Sequence, residues 1–482
     1  MLPAGWRLGR VARSMVLVGG GSAFGQAVLL VAAPILSRLY EPAAFGVLAV
    51  YTAGMVLGVT VVSLRFDAAI PIAADDDEAI HLLVLSIILA VVLSLVLGIV
   101  VFIWGADVAS TLGAAQLAPF LFLLVMAVLA GSVTTALSSW AVYHRLFPSL
   151  ARVRAVQSSV QVVAQVAFGL VHAGPVGLIA GDVVGRFAGT QTILRSVLAA
   201  LRTTKLSAIT VRRYAREHWG FARLMTAASV LNTLTQQVPF LVIPAAFGLD
   251  ASGQFFLAYR MLVLPAALVS AAVNQVFFGE ASARRGDPAR LERFARDATV
   301  SLFVFSIPTY LIVAVGGSAL MQSVFGAQWA TAGLYAAILA PSLVVHAVAG
   351  PISSLLLVGR RQRESLAFTA AELTAQAGAL VLGVAVHSLT VGIVALSAVS
   401  LLLAVASLWR FLRVASVRLV ELLRPTSTIF GAALPSVAFV GLVAVVAPGW
   451  TVGAAAAGWV VAVLAAARLT RELRAFLGGA ND

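Results

Sequence analysis

Apolar tracts of about twenty residues follow one another along almost the whole chain, and this repetition constrains the fold more than any other feature. A helix needs about twenty apolar residues to cross the hydrocarbon core of a bilayer. The composition agrees, because 61% of the residues are hydrophobic and only 11% are charged, which leaves too little polar surface for a soluble protein. The sequence therefore predicts an all-α integral membrane protein with about fourteen transmembrane helices.

A basic segment divides these tracts into two groups. It lies between Leu194 and Arg223 and contains the cations Arg195, Arg202, Lys205, Arg212, Arg213, Arg216 and Arg223. Because Lys and Arg beside membrane spans are retained in the cytoplasm during insertion, the segment predicts a cytoplasmic connector rather than a nucleic-acid arm. Six spans precede it, the sixth from Val176 to Ala200, so both termini are expected to be cytoplasmic.

The predicted organisation is two six-helix lobes with a C-terminal extension. The N-terminal lobe covers residues 1–200, the connector residues 201–218, the C-terminal lobe residues 219–413, and two further helices with a cytoplasmic tail residues 414–482. Because both lobes begin on the same side of the membrane, we expect a pseudo-twofold axis along the membrane normal to relate them. Repeats of this kind place a binding site centrally between them.

Several classes of site and activity are disfavoured by the sequence. The chain has no cysteine, and its six histidines show no metal-ligand spacing, so we expect no metal site and no cofactor. No loop is long enough for a catalytic domain, so we expect the protein not to be an enzyme. The formal charge of +13 requires no nucleic-acid partner, because cytoplasmic loops of membrane proteins carry excess cations.

Amide side chains recur inside three of the predicted spans, often at helical spacing. They are Gln26 in span one, Gln157, Gln161 and Gln165 in span five, and Asn232 and Gln236 in span seven. Because such groups are costly in lipid, they should face the bundle interior or a water-filled cavity. We interpret them as candidates for lining a substrate cavity; the alternative is that they only hold helices together.

Four charged side chains lie well inside the predicted spans. Asp182 and Arg186, one turn apart in span six, can neutralise each other or take part in binding a coupling ion. Arg260 in span eight, with Asn274 on nearly the same face, is a candidate for substrate binding; the alternative is an arginine that snorkels to the membrane surface. Glu372 in span eleven is a candidate for binding a coupling ion or for a structural hydrogen bond.

The segment LRFDAAIPIAADDDEAIHLLVLS, from Leu64 to Ser86, resembles the repeat-unit flippases of polysaccharide biosynthesis. This family belongs to the multidrug, oligosaccharidyl-lipid and polysaccharide exporter superfamily. Its members carry R-[FY]-[ED], an apolar segment with Pro, an acidic cluster and then the third span. SRLYEPAAFG after span one and FGAQW at Phe325 to Trp329 fit the same family.

The resemblance implies a multi-pass transporter of the bacterial inner membrane whose substrate is a polyprenyl-diphosphate-linked glycan. In the related lipid II flippases, cavity arginines lie on spans one, two and eight. Here span eight offers Arg260 and span two only Arg65, which can instead pair with Asp67, while span one has no interior arginine. Lipid II is therefore a less favoured cargo. A glycan polymerase is a candidate partner, and a proton or sodium ion is a candidate coupling ion.

Physical chemistry supports a flippase that works by alternating access as the leading hypothesis. A diphosphate-sugar head group cannot cross a hydrocarbon core unaided, whereas a wet cavity lined by amides and an arginine can replace its hydration. A multidrug antiporter of the same superfamily is the first alternative, and it would favour acidic and aromatic cavity residues. A membrane glycan polymerase is the second, and it would require a long outer loop that this sequence lacks.

Overall fold

The computed structural model describes residues 24–264, 287–353, 355 and 362–478, and within these ranges it contains fifteen α-helices and no β-strand. In the first half they are α1 Phe24–Leu39, α2 Pro42–Val62, α3 Asp76–Thr111, α4 Leu121–Tyr143, α5 Phe147–Leu170, α6 Pro175–Phe187, α7 Gln191–Thr203, α8 Ala208–Phe247 and α9 at residues 249–264. The others are α10 Pro288–Phe325, α11 Ala330–Ile352, α12 Gln362–Ala385, α13 Leu389–Val414, α14 Leu419–Val446 and α15 Thr451–Gly478.

Ten of these helices are long and apolar enough to cross a membrane. They are α2, α3, α4, α8 and α10 to α15. The described parts of α1 and α9 are short, α6 has only 13 residues, and α5 carries arginines and amides that lower its hydropathy. The all-helical membrane fold expected from the sequence is confirmed, while the number fourteen stays a prediction.

The acidic cluster before α3 forms a helix cap. The Asp75 carboxylate accepts a hydrogen bond from the backbone N–H of Glu78 at 2.8 Å. Glu78 in turn accepts one from the backbone N–H of Ala74, also at 2.8 Å, and hydrogen-bonds His218 on α8. This reciprocal arrangement satisfies backbone donors that the first turn of a helix leaves unpaired, which is why α3 begins where it does.

The predicted sixth span, Val176 to Ala200, is wrong in its extent. α6 ends at Phe187, and the chain turns at residues 188–190 before α7 begins. Gly189 lies in this turn with φ of 76°, a left-handed conformation that glycine adopts without strain. α7 is amphipathic, with Ile193 buried and Arg195 exposed, so it lies against the protein as a separate helix.

The chain forms two compact units, Met1–Gly253 and Gln254–Asp482. Within the first unit α8 packs against α2 and α3. Thr60 and Thr233 mark that packing, since their hydroxyl oxygens lie 3.3 Å apart. The predicted lobe boundaries, which place residues 219–247 of this helix in the C-terminal lobe, stay a prediction. The pseudo-twofold relation of two six-helix lobes stays a prediction.

α10 is the central helix of the second unit and packs against α11, α14 and α15. One hydrophobic cluster contains Ile307 of α10, Leu412 of α13 and Ile429 of α14. The indole N–H of Trp459 on α15 donates to the Thr309 hydroxyl on α10 at 2.8 Å. The two C-terminal helices, expected from the sequence to be an appendage, therefore share the core of this unit.

α8 provides a direct test of membrane orientation. Its 40 residues extend about 60 Å, twice the hydrocarbon thickness of about 30 Å, so its two ends should reach opposite sides of the membrane. Lys205 and Asp250 lie just beyond these ends and are exposed. In a chain without native cysteine, we expect Asp250→Cys to react with an impermeant maleimide on intact cells and Lys205→Cys to react only after permeabilisation. Labelling of Lys205→Cys in intact cells would reverse the predicted topology.

Candidate functional site

A polar cavity of about 280 Å³ lies in the first unit between α1, α5 and α6. Its lining consists of Gly25, Gln26, Leu29, Arg154, Gln157, Ser158, Gln161, Gly185 and Arg186. The structure thus brings together four residues that the sequence had placed on three different spans, namely Gln26, Gln157, Gln161 and Arg186. To these it adds a second guanidinium group, that of Arg154.

Small residues on α6 allow its backbone to approach the amide stripe of α5. A Cβ atom on Gly181 would lie 2.5 Å from Cγ of Gln165, and one on Gly185 would lie 2.6 Å from Cβ of Gln161. Real Cβ atoms do not come so close, so both positions require glycine at this helix separation. The glycines of α6 and the glutamines of α5 both recur every four residues, so the two helices pack closely along these faces. The packed pair forms one wall of the cavity.

The three glutamines of α5 have different surroundings. Gln165 is buried, and its amide N–H donates to the carbonyl oxygen of Leu178 at 2.8 Å. Gln157 donates to the carbonyl oxygen of Arg186 at 3.0 Å, while its side chain also lines the cavity. Gln165 therefore ties α5 to α6, whereas Gln157 and Gln161 lie where a ligand can reach them.

Asp182 and Arg186 form a bidentate ion pair inside the unit. Nε of Arg186 donates to one carboxylate oxygen of Asp182 at 2.7 Å, and Nη2 donates to the other at 3.0 Å. The hydroxyl of Tyr51 on α2 donates to the same carboxylate at 2.8 Å. Asp182 is only 7% exposed. These contacts support a structural role for the pair, and a role in binding a coupling ion stays a prediction.

Arg154 is a candidate that the sequence analysis missed. The sequence analysis assigned it no role. α5 begins at Phe147, which places Arg154 about 10 Å further along the helix. Within the described parts of the chain, no carboxylate pairs with its guanidinium, in contrast to Arg186. A sequence signal existed, because Arg154 and Gln157 lie three residues apart on the same helix face as Gln161.

Arg65 lies in the turn between α2 and α3, outside this cavity. Its guanidinium is 3.8 Å from the carboxylate of Asp67, which is buried. Burial raises the pKa of Asp67 above its ordinary value, and the nearby charge of Arg65 opposes that shift. The R-F-D motif thus contains an ion pair in the turn, as the alternative interpretation of Arg65 proposed.

The candidate amides of α8 lie on its exposed side. Asn232 and Gln236 are both exposed, while Thr233 between them is buried against α2. The polar residues of this part of α8 are therefore divided. Thr233 contacts a neighbouring helix, whereas Asn232 and Gln236 lie on an exposed surface. Asn274, predicted as a partner of Arg260, lies outside the described residues.

The second unit contains the other two charged candidates. Arg260 is half-buried on α9, and its Cζ lies 5.9 Å from the centre of the Phe256 ring. Glu372 on α12 accepts a hydrogen bond from the Gln376 amide at 3.1 Å, and its carboxylate is 3.9 Å from Nε2 of His346 on α11. The sequence analysis did not single out His346, because the position of a lone histidine in an apolar helix does not indicate which residue it contacts.

The family model described as "Polysaccharide biosynthesis protein" matches residues 35–334, which is more than half of the 482-residue chain. The chain belongs to the polysaccharide biosynthesis protein family. The matched region includes the R-F-D segment, the cavity residues of α5 and α6, and Arg260, but not those of α1. The family resemblance inferred from the sequence motifs is thereby confirmed. A search of curated proteins found no match.

Solved transporter structures share the fold of this polysaccharide biosynthesis protein at low sequence identity. The lipid II flippase MurJ in an inward closed conformation aligns with a TM-score of 0.72 and 12% identity over 95% of this chain and 99% of that one. A multidrug resistance MATE family transporter in an inward-facing conformation aligns with a TM-score of 0.58 and 16% identity, over 83% of this chain and 95% of that one. A MOP superfamily transporter from Pyrococcus furiosus aligns with a TM-score of 0.53 and 16% identity, over 84% of this chain and 96% of that one. At these identities the matches establish a common fold.

The ion pair of α6 can be tested through stability. Asp182→Asn leaves Arg186 without its counter-charge in a mostly buried setting, and we expect a loss of about 2–4 kcal/mol. The variant should therefore melt several degrees lower in detergent, whereas Asp182→Asn combined with Arg186→Gln should recover part of the loss. An unchanged melting temperature for Asp182→Asn would show that the pair does not stabilise the unit.

Proposed function

We propose that this protein translocates a polyprenyl-diphosphate-linked glycan across the bacterial cytoplasmic membrane by alternating access. The observation that carries the proposal is the cavity of the first unit, where the guanidinium groups of Arg154 and Arg186 lie among the amides of Gln26, Gln157 and Gln161. Membership of a polysaccharide biosynthesis family and a fold shared with MurJ support it.

The charge of the cavity suits a diphosphate. Arg186 is neutralised by Asp182, so the surplus positive charge belongs to Arg154. A guanidinium group stays protonated at every physiological pH and can donate two parallel hydrogen bonds to phosphate oxygens. The neighbouring amides supply further donors without additional charge, which allows a ligand to bind and also to leave. An anionic head group is therefore the ligand that this arrangement favours.

The size of the cavity indicates which part of the substrate it takes. Cavities that enclose a drug-sized ligand have volumes of about 300–1,000 Å³, and this one is about 280 Å³. It can accept the diphosphate with its adjoining groups but not a whole glycan repeat unit. We propose that the sugars occupy space beyond these residues and that the prenyl chain stays in lipid. No catalytic group is required for such transport, so we propose no enzymatic activity.

A multidrug antiporter is the second candidate function, because MATE family transporters share this fold. Such a protein would bind cationic drugs most readily beside carboxylates and aromatic rings. Asp182, the acid that pairs with Arg186 of the cavity lining, already accepts hydrogen bonds from Arg186 and Tyr51. The surplus positive charge of Arg154 would repel a cationic drug, and for this reason we favour the lipid-linked glycan.

Arg154 provides the sharpest test of the proposed head-group site. Arg154→Gln removes the charge, and we expect at least about a tenfold loss of flipping, since a charge-assisted contact contributes about 1.5–3 kcal/mol. Arg154→Lys keeps the charge without the bidentate geometry and should be partly active. The measurement is translocation of a polyprenyl-diphosphate-linked glycan by purified protein in liposomes.

Arg152→Gln is the matched control for this experiment. Arg152 lies two residues earlier on α5, is exposed, and does not line the cavity. We expect this variant to flip substrate at the wild-type rate. If Arg152→Gln and Arg154→Gln lose activity equally, the loss reflects general charge at this helix end, and the proposed site is incorrect.

Arg260 and Glu372 are proposed as contributors in the second unit. If Arg260 also contacts the diphosphate, Arg260→Gln should impair flipping more than Arg260→Lys, both at normal membrane levels. If Glu372 binds a proton or sodium ion, Glu372→Gln should reduce the dependence of transport on an ion gradient more than it reduces binding. Full flipping by Arg260→Gln would assign that arginine a surface role instead.

The two residues can be separated in a single liposome preparation. Substrate flipping is followed with and without an imposed proton or sodium gradient, and binding is followed with the same labelled glycan lipid. Loss of binding in Glu372→Gln would indicate a substrate contact rather than a coupling site. Retained gradient dependence in the same variant would also argue against coupling through Glu372.

A further inference from the structure

The connector helix α7 presents three different faces. Ile193 and Val197 are buried in a hydrophobic cluster that includes Trp140, so this face packs on the protein. Leu194 and Leu198, each one residue further on, form a neighbouring flank and are 41% and 48% exposed. Because a helix turns once every 3.6 residues, Leu194 and Leu198 lie about one turn apart on one flank, beside the buried face of α7.

Arginines line the outer edge of the leucine flank. Arg195 and Arg202 are seven residues apart, so they share one side of α7, and both are exposed. Passing around the helix, the order is therefore protein contact, exposed leucines, then arginines. This is the order found in helices that lie in a membrane surface, where apolar side chains enter the acyl region and cations reach the head groups.

The start of α8 continues the same pattern. Ile209 is 83% exposed, and Arg212, Arg213 and Arg216 follow it at three, four and seven residues on the exposed side. Tyr214, on the opposite side, is buried and packs against His81, which holds this end of the helix to the protein. Exposed apolar and basic side chains thus extend from α7 into α8.

The segment from α7 to Arg216 of α8 carries charged residues of one sign only. Between Asp182 and Glu217 the sequence contains no acidic residue, and from α7 to the start of α8 it carries six cations. Retention of cations beside membrane spans explains why they lie in this connector. It does not explain why exposed leucines accompany them on one flank of α7. A partner with a negatively charged surface above an apolar layer fits both features.

We propose that α7 and the start of α8 form a binding surface for anionic phospholipids of the leaflet that the connector touches. Leu194 and Leu198 insert below the head groups, and Arg195, Arg202 and Lys205 contact their phosphates. Each cation near an anionic membrane contributes an attraction equivalent to about a fivefold change in binding. The surface is distinct from the cavity of Arg154, so it does not depend on the identity of the transported substrate.

The test uses the absence of native cysteine to place one probe on the leucine flank. Full-length Leu198→Cys is labelled with an environment-sensitive dye and placed in phosphatidylcholine nanodiscs that contain equal small fractions of either brominated phosphatidylglycerol or brominated phosphatidylcholine. We expect the brominated phosphatidylglycerol to quench the dye at least about twofold more strongly, because anionic lipid gathers at the connector. Salt at about 0.5 M should reduce the difference by screening.

Two controls make the outcome specific. Ala199→Cys carries the same dye on the next residue, which is exposed but turned away from the leucine flank, and it should be quenched less by both lipids. Combined replacement of Arg195, Arg202 and Lys205 by Gln, which leaves the three arginines of α8 in place, should reduce the preference for phosphatidylglycerol at least about twofold while the melting temperature stays unchanged.

Three results would overturn the proposal. Equal quenching by the two brominated lipids would show that the leucines enter lipid without selecting head-group charge. A preference that replacement of the three cations leaves unchanged would assign the selectivity elsewhere. Weak quenching by both lipids, together with protection of the dye by an acidic peptide, would identify the partner as a protein. None of these readouts requires transport, so they are independent of the proposed flippase activity.

Discussion

The candidate site of the first unit depends on the hydrogen bonds of one buried carboxylate. Asp182 accepts from Tyr51 on α2 and from Arg186 one turn later on α6, so a single acid joins two helices and fixes a guanidinium group at the edge of the cavity. An ionised carboxylate in an apolar setting is costly unless it is paired and hydrogen-bonded, and here both conditions are met. Because this pair cancels its own charge, the surplus charge of the cavity belongs to Arg154 on the facing helix.

The amide stripe of α5 shows how one regular pattern can serve two purposes. Gln165 is buried and hydrogen-bonds the α6 backbone, so it contributes to helix packing. Gln157 makes a similar bond to the carbonyl oxygen of Arg186 but also borders the cavity, and Gln161 lies between them on the cavity wall. Helix attachment and cavity lining therefore both occur, each at a different depth, and the interpretation that the cavity takes a substrate stays a prediction. Spacing identifies the face of a helix, whereas the neighbouring helix determines what that face does.

Hydropathy was sufficient to locate most helices, but it could not locate breaks between apolar segments. α13, from Leu389 to Val414, is an unbroken apolar helix of 26 residues, and a hydropathy window detects a tract of this kind directly. The turn before α7 was missed because an amphipathic helix directly after a short span gives the same average hydropathy as one long span. Pairs such as Tyr51 with Asp182, or His346 with Glu372, join residues far apart in sequence. Periodicity predicts their faces but not their partners, and the residues around Arg154 likewise could not be inferred from its own helix.

Positive charge in the first unit occurs in three settings, and the surroundings of each arginine distinguish them. Arg186 lies beside a carboxylate and is neutralised, Arg154 lies among amides in a cavity, and Arg202 lies on an exposed helix edge with leucines. The residue type is the same, so its chemistry alone cannot assign a role. A guanidinium without a carboxylate partner retains donors that an anion can use, and amides beside it add donors without competing charge. Exposed leucines instead indicate that the charge lies at an interface with lipid. In a chain with a formal charge of +13, we therefore take Arg154, which lies among neutral amide donors and has no carboxylate partner within the described residues, as the arginine to test for a substrate contact.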